Sequence, residues 1–120
     1  MFSVERLKAG LNTKFLGYKI NYQPETNSTN ADAWKNVLNR CEEGTVFITD
    51  NQQMGRGRRQ NIWLSTKNKS LIFSFILRPQ MELDKLGLLP LLIGVSIVNG
   101  IQSATSIKTG LKWPNDIMLN

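Results

Sequence analysis

The sequence contains no histidine and one cysteine, Cys41. Without histidine there is no imidazole for acid-base work near neutral pH, and the usual zinc ligands are all but absent. A lone cysteine cannot close an internal disulfide. Cys41 falls on the apolar face of a predicted helix and is read as a small packed hydrophobe. Long apolar runs are also missing. The longest, residues 86–101, is interrupted by Gly87, Pro90, Gly94, Ser96, Asn99 and Gly100, whereas a membrane span takes about 20 mostly apolar residues. The opening Met-Phe-Ser-Val-Glu-Arg-Leu-Lys lacks the apolar core of a signal peptide. These absences predict a cytoplasmic protein that does not engage a membrane. Acidic residues are missing from one quarter of the chain. Between residues 51 and 81 there are six basic side chains and no acidic one, while the other nine basic residues are matched by nine acids. The whole net charge of +6 therefore lies in that quarter.

The chain that remains is ordinary for a globular domain: 120 residues, 41% hydrophobic and 20% charged, without internal repeat, low-complexity tract or linker. Val4, Leu7 and Lys8 predict a short helix ending near Gly10. The aromatic and β-branched bias of residues 15–22 predicts a strand stopped by Pro24. Thr29 and Asp32 have the spacing of a capping box, and Ala31, Trp34, Val37, Leu38 and Cys41 continue at helical spacing, which predicts a helix over 30–41 with Gly44 as its stop. Strands are predicted at 45–49 and 70–77. A long core helix is expected over 83–104, with Pro90 in its first turn and Gly94 and Gly100 packed closely on a sheet. Residues 111–119 read as strand, turn, strand, with the last strand unfinished at Asn120. Such an edge needs another chain, allowing a homodimer, or further chain beyond it. The order predicts an α+β fold with a mixed, largely antiparallel sheet covered by helices.

Three motifs carry candidate chemistry. The first runs Gln52-Gln53-Met54-Gly55-Arg56-Gly57-Arg58-Arg59, with Trp63 following. Guanidinium forks hold phosphate or carboxylate bidentately, and the glycines allow a ligand close to the backbone. The same string also suits a solvated turn. It is neither a Walker A loop nor a dinucleotide fingerprint, because the required Gly-Lys-Ser/Thr and third glycine are absent. Trp63 either stacks on a base or packs in the core. The second motif, Lys112-Trp113-Pro114-Asn115-Asp116, presents an amine, an amide and a carboxylate around one turn. It can face a ligand, hold magnesium through one carboxylate, or form an Asx turn that satisfies only the backbone. In the third, Ser28-Thr29-Asn30, helix capping accounts for Thr29 without any ligand, although helix-start hydroxyls and amides can also bind a small polar group.

In this order and spacing, over roughly residues 18–120, the three motifs and the strand at 70–77 resemble the catalytic domain of biotin protein ligases, also called biotin-[acetyl-CoA-carboxylase] ligases. The resemblance implies the sheet-and-helix fold shared with class II aminoacyl-tRNA synthetases. It also implies a two-step reaction: biotin and Mg-ATP give biotinyl-5′-AMP, and the biotinyl group passes to a lysine of the biotin carboxyl carrier protein or domain of acetyl-CoA carboxylase. On this resemblance Ser28, Thr29, Asn30, Gln52, Gly55, Arg56, Gly57 and Arg58 would bind biotin. Arg58, Arg59, Trp63, Lys112 and Asn115 would serve the nucleotide, and Asp116 the Mg2+. Arg56, Arg58 and Lys112 would take the catalytic roles of charge stabilisation, with the arginine loop closing over the adenylate.

Two departures accompany the resemblance. Gln60 and Asn61 stand where the family usually has Gly and Arg, which predicts a stiffer, less positive half-loop. A further family lysine falls beyond Asn120, as do a glycine-rich strand and a small C-terminal domain, so the chain reads as the N-terminal portion of the enzyme, inactive by itself. The few residues before the first strand leave no room for the winged helix of some members, so no DNA is expected among the partners. The rival readings are a lipoate-protein ligase of the same superfamily and a single-stranded nucleic-acid-binding module, for which the pI near 9.8 and Trp63 are the supporting features.

Overall fold

A computed structural model describes residues 2–120. The chain forms two compact units, Met1–Arg78 and Pro79–Asn120. In the first, helix α1 (Val4–Gly10) is followed by β1 (Ile20–Thr26), α2 (Thr29–Val37), β2 (Val46–Gln52), the short strands β3 (Gly55–Arg56) and β4 (Ile62–Trp63), and β5 (Ile72–Phe75). The sheet has the order β1-β2-β5, with β2 parallel to β1 and antiparallel to β5. Alternation along β2 decides which layer each side chain joins. Phe47 packs with Ala33 of α2 and with Ile76, and Val37 and Cys41 pack against that cluster. Val46 and Ile48 line an apolar cavity of about 200 Å³ together with Leu7, Leu11 and Phe73. Helical residues thus meet both faces of the sheet.

The α+β class and the mixed sheet are as predicted, and three of the four strand pairings are antiparallel. Several boundaries differ. The first strand starts at Ile20, and Pro24 lies inside it. The pairings Gln23 with Thr49 and Glu25 with Asn51 flank the proline, and β1 is an edge strand, so a missing amide hydrogen is tolerated there. Residues 15–18 form a turn instead, with the Tyr18 amide bonded to the Phe15 carbonyl at 3.3 Å. Helix α2 ends at Val37 and not at 41, because the chain turns through Arg40 at φ 57°. Cys41 therefore leaves the helix yet keeps its packed role. Strand β2 runs three residues past Thr49, and β5 is shorter than 70–77.

In the second unit a 3-10 segment, Leu83–Leu88, leads into α3 (Leu89–Thr105), followed by β6 (Thr109–Lys112) and β7 (Asp116–Leu119). Pro90 sits in the first turn of α3, as expected. A Cβ on Gly94 would stand 2.7 Å from Leu111 Cδ1, so here the predicted close approach to strand residues is real; around Gly100 nothing lies within 4 Å. β7 pairs along its length with β6. The helical stretch Leu83–Thr105 spans 23 residues, and its most apolar 18-residue window has a mean hydropathy of 1.6. By length and composition it would suffice for a membrane span, contrary to the sequence reading, because the glycines and Pro90 do not break it; core helices of soluble proteins meet the same two measures.

Candidate functional site

The end of β1, the start of α2 and the end of β2 meet at one polar cluster. Ser28, not Thr29, caps α2: its hydroxyl accepts from the Ala31 amide at 3.3 Å. Asp32 does not reach back to the cap, but accepts from Thr26 Oγ1 at 2.6 Å. With one hydroxyl sufficient for the cap, that of the buried Thr29 turns elsewhere. Gln52 Oε1 accepts from the Thr29 amide at 3.0 Å, and Thr29 Oγ1 stands 3.4 Å from the same oxygen. Thr29 Oγ1 is also 2.8 Å from Ser74 Oγ on β5, which donates to Asn30 Oδ1 at 2.6 Å. Because a backbone amide can only donate, the Gln52 amide has a settled orientation, and its Nε2 is the end directed at Gly55. Asn30 and Ser74 also line a cleft of about 240 Å³ beside Ala33, Trp34 and Val37.

The Gly-Arg stretch begins as a continuation of that cluster. Beyond β2 the Gln53 and Met54 amides donate to the carbonyls of Thr26 and Asn27 at 3.0 and 2.8 Å, extending the β1–β2 pairing to the base of the loop. Gly55 then pairs with Trp63, and Arg56 with Ile62, in the β3–β4 ribbon. Gly55 is buried, and a Cβ there would lie 2.5 Å from Gln52 Nε2 and 2.6 Å from the Trp63 carbonyl oxygen. No other residue fits this backbone approach without displacing one of them. The tip is a 3-10 turn over Arg58–Gln60 in which Arg59 and Gln60 both take left-handed conformations, at φ 55° and 62°. The Gly57 amide donates to the Asn61 carbonyl at 2.8 Å and closes the turn. Trp63 is 58% exposed, which decides against core packing for its ring.

Charge in this region is uncompensated. Among the described residues neither Arg56, Arg58 nor Arg59 forms a salt bridge. The acids at the base of the loop are occupied by neutral donors: Glu25 accepts from Asn51 Nδ2 at 2.7 Å and Gln53 Nε2 at 2.6 Å, and Asp50 accepts from the Tyr22 hydroxyl at 2.6 Å. That hydrogen bond to Asp50, aided by burial, raises the Tyr22 pKa above its ordinary value. Three exposed guanidinium groups without counter-charges suit an anionic ligand. Gln53, Met54, Gly55, Arg56, Gln60 and Ile62 line a second cleft, of about 370 Å³.

Lys112, Asn115 and Asp116 belong to the second unit. Lys112 and Asp116 are cross-strand partners at the turn end of the β6–β7 hairpin, and the exposed Asn115 lies in the turn between them, after the cis peptide bond joining Trp113 and Pro114. Asp116 is half-buried. No group of three or more His, Cys, Asp or Glu that could hold a metal occurs among the described residues. One carboxylate fits a Mg2+ carried largely by phosphate oxygens, the usual manner of binding for this ion.

Sequence reasoning passed over Ser74 and Glu25. Ser74 had a signal: it is a polar residue placed between Ile72 and Ile76 on one face of a strand of period two. Nothing local marks Glu25, whose partners are set by strand register.

The model of the biotin/lipoate A/B protein ligase family matches residues 21–120. The bifunctional ligase/repressor BirA of Bacillus spizizenii is 39% identical over 118 residues, 98% of this chain and 36% of that protein. The biotin-[acetyl-CoA-carboxylase] ligase of Mycobacterium tuberculosis is 31% identical over 99 residues, 78% of this chain and 37% of that protein. The chain thus spans just over a third of these relatives. Among solved structures, the biotin protein ligase of Aquifex aeolicus in complex with biotin and ATP superposes with a TM-score of 0.72 at 34% identity, over 86% of this chain and 42% of that one.

Proposed function

As the chain belongs to the biotin/lipoate A/B protein ligase family, we propose that it supplies the biotin-binding and phosphate-binding part of an ATP-dependent biotin ligase. The observation that carries this reading is the Thr29–Gln52–Ser74 cluster adjoining, through Gly55, three arginines with no counter-charge. The cluster offers donors and acceptors suited to a cyclic urea. The arginines offer positive charge suited to a carboxylate and to phosphates.

In the first step the biotin carboxylate attacks the α-phosphorus of ATP; a C–O–P bond forms and pyrophosphate leaves, giving biotinyl-5′-AMP. Two anions must approach each other, and Arg56 and Arg58 offset that repulsion and the charge that develops on the phosphoryl oxygens. Arg59, Trp63, Lys112 and Asn115 serve the nucleotide, the tryptophan by stacking. Asp116 supplies a carboxylate for Mg2+, which neutralises phosphate charge when bound. In the second step an uncharged carrier lysine attacks the acyl carbon and AMP departs. Neither step needs a histidine or a cysteine nucleophile, in keeping with a chain that has no histidine. The acceptor is a biotin carboxyl carrier domain, in line with the carboxylase in the name of the mycobacterial relative. Ser28 belongs to the biotin side of the site, although its hydroxyl also caps α2.

The test is isothermal titration of the full gene product carrying this chain with biotin, lipoate and a non-hydrolysable biotinyl-adenylate analogue. Binding of biotin and of the adenylate is expected, with the adenylate affinity lost in Arg58→Ala. Preference for lipoate would assign the other branch of the family. Salt-sensitive oligonucleotide binding without adenylate affinity would refute ligation altogether.

A further inference from the structure

Ser74 sits at the centre of the polar cluster. Its hydroxyl stands 2.8 Å from Thr29 Oγ1 and donates to Asn30 Oδ1 at 2.6 Å. The separation of 2.6 Å is that of an O–H donor meeting an oxygen; a side-chain N–H donor would sit nearer 2.9 Å. A serine hydroxyl has one proton. Since Asn30 receives it, the proton between Thr29 and Ser74 must come from Thr29. The other acceptor within reach of Thr29 is Gln52 Oε1 at 3.4 Å, which is too long to compete with 2.8 Å and already accepts from the Thr29 amide.

We propose that Ser74 is a positioning residue that commits the Thr29 hydroxyl proton away from the ligand, so that Thr29 Oγ1 meets the ligand as a hydrogen-bond acceptor. Asn30 takes part as the anchor of the chain of bonds, and its amide oxygen gives the chain its direction. Gln52 has the opposite sense: its oxygen is occupied by the Thr29 amide and its Nε2 is a donor beside Gly55. The two side chains therefore present one acceptor and one donor, the complement of an N–H next to a carbonyl. A cyclic urea carries that pair, whereas a thiolane or dithiolane ring carries neither. The inference rests on the ligase reading and extends it, because it gives Ser74 the part of setting the acceptor sense of Thr29 within that pair.

The test compares Ser74→Ala, Ser74→Thr, Thr29→Val and the double variant in the full gene product, by titration with biotin and with ATP and by thermal unfolding. Ser74→Ala is expected to weaken biotin about tenfold and raise its KM, with ATP affinity and kcat at saturating biotin unchanged; Ser74→Thr, which keeps the hydroxyl, restores binding. In the Thr29→Val background Ser74→Ala has no further effect on biotin, because Ser74 acts through Thr29. Equal biotin affinity in parent and Ser74→Ala overturns the inference and leaves the ligase reading standing. Additive losses in the double variant, or a loss shared equally by ATP, also overturn it. A parent protein that binds no biotin overturns both. If Ser74→Ala fails to fold, Ser74→Thr and Ser74→Cys decide, since the weakly bonding thiol should lose affinity while the hydroxyl of threonine keeps it.

Discussion

Replacing Gly55 by alanine tests whether the loop and the Gln52 amide form one rigid assembly. A Cβ there would lie 2.6 Å from the Trp63 carbonyl oxygen and 2.5 Å from Gln52 Nε2, so each is roughly 0.8 Å or more inside ordinary contact, and one neighbour is backbone. The Gly55 φ is not left-handed, so the cost is steric. Overpacking of this degree costs about 1–3 kcal/mol. Where it falls depends on what gives way. Trp63 and Ile62 are exposed and the β3–β4 ribbon is two residues long on each side, so the ribbon opens before the core does. The denaturation midpoint of the full gene product should change by less than about 3 °C. Gln52, pushed aside, loses its 3.0 Å bond from the Thr29 amide. If the same energy is charged to the bound state, biotin affinity falls about 5- to 150-fold. Gly57 is the internal control: at φ −93° a Cβ would find its nearest neighbours at 3.7 Å. Gly57→Ala should leave stability within about 0.5 kcal/mol of the parent. Thermal unfolding and titration with biotin measure both quantities. Parental biotin affinity in Gly55→Ala, or an equal loss of biotin affinity in the two alanine variants, would refute the reasoning.

Three further outcomes follow from the geometry. Gln60→Gly relieves a left-handed non-glycine residue at φ 62°, a gain of about 1–2 kcal/mol, against about 0.4–1 kcal/mol of added unfolded-state entropy. Net stability should rise by about 0 to 1.6 kcal/mol, and a loss measured by chemical denaturation would contradict the turn described. Ser28→Ala removes the α2 cap and should cost about 1 kcal/mol of stability, which Ser28→Asp should recover by capping the same amide; biotin affinity that stays low in Ser28→Asp separates the ligand role from the cap. The raised Tyr22 pKa means that the folded state holds this proton more tightly than the unfolded chain, owing first to the hydrogen bond to Asp50. Its stabilising contribution is therefore complete below the ordinary tyrosine pKa of about 10 and lost as pH rises through the folded value. Tyr22→Phe should abolish this alkaline component in a pH series of unfolding midpoints, and an unchanged series would exclude the Tyr22–Asp50 bond as its source.

What could be read in advance separates along physical lines. Apolar period determines the existence of an element, and α1, α2, α3 and the β6–β7 hairpin were all legible from it. Boundaries depend on competition among neighbours. Ser28, Thr29 and Asn30 are all good caps, and only the backbone at Ser28, at φ −162° and ψ 124°, selects it. That selection has a chemical consequence, since it releases Thr29 to bond Gln52 and Ser74. A reading that gave Thr29 to the cap left its side chain with nothing further to explain. Gln60 shows the same dependence from the other side. As a departure from a usual glycine it suggested stiffness, but its left-handed backbone shows why glycine suits the place and where the substitution stores its strain. The charge-rich loop was legible at once because its arginines lack acids in sequence. That they also lack direct ion pairs in space depends on Glu25 and Asp50 being taken by Asn51, Gln53 and Tyr22, partners 26 to 28 residues away that strand register brings close. The freedom of the arginines from direct ion pairs is thus tied to the β1–β2 pairing, whose register sets Asn51 and Gln53 beside Glu25 and fills its oxygens with amide donors.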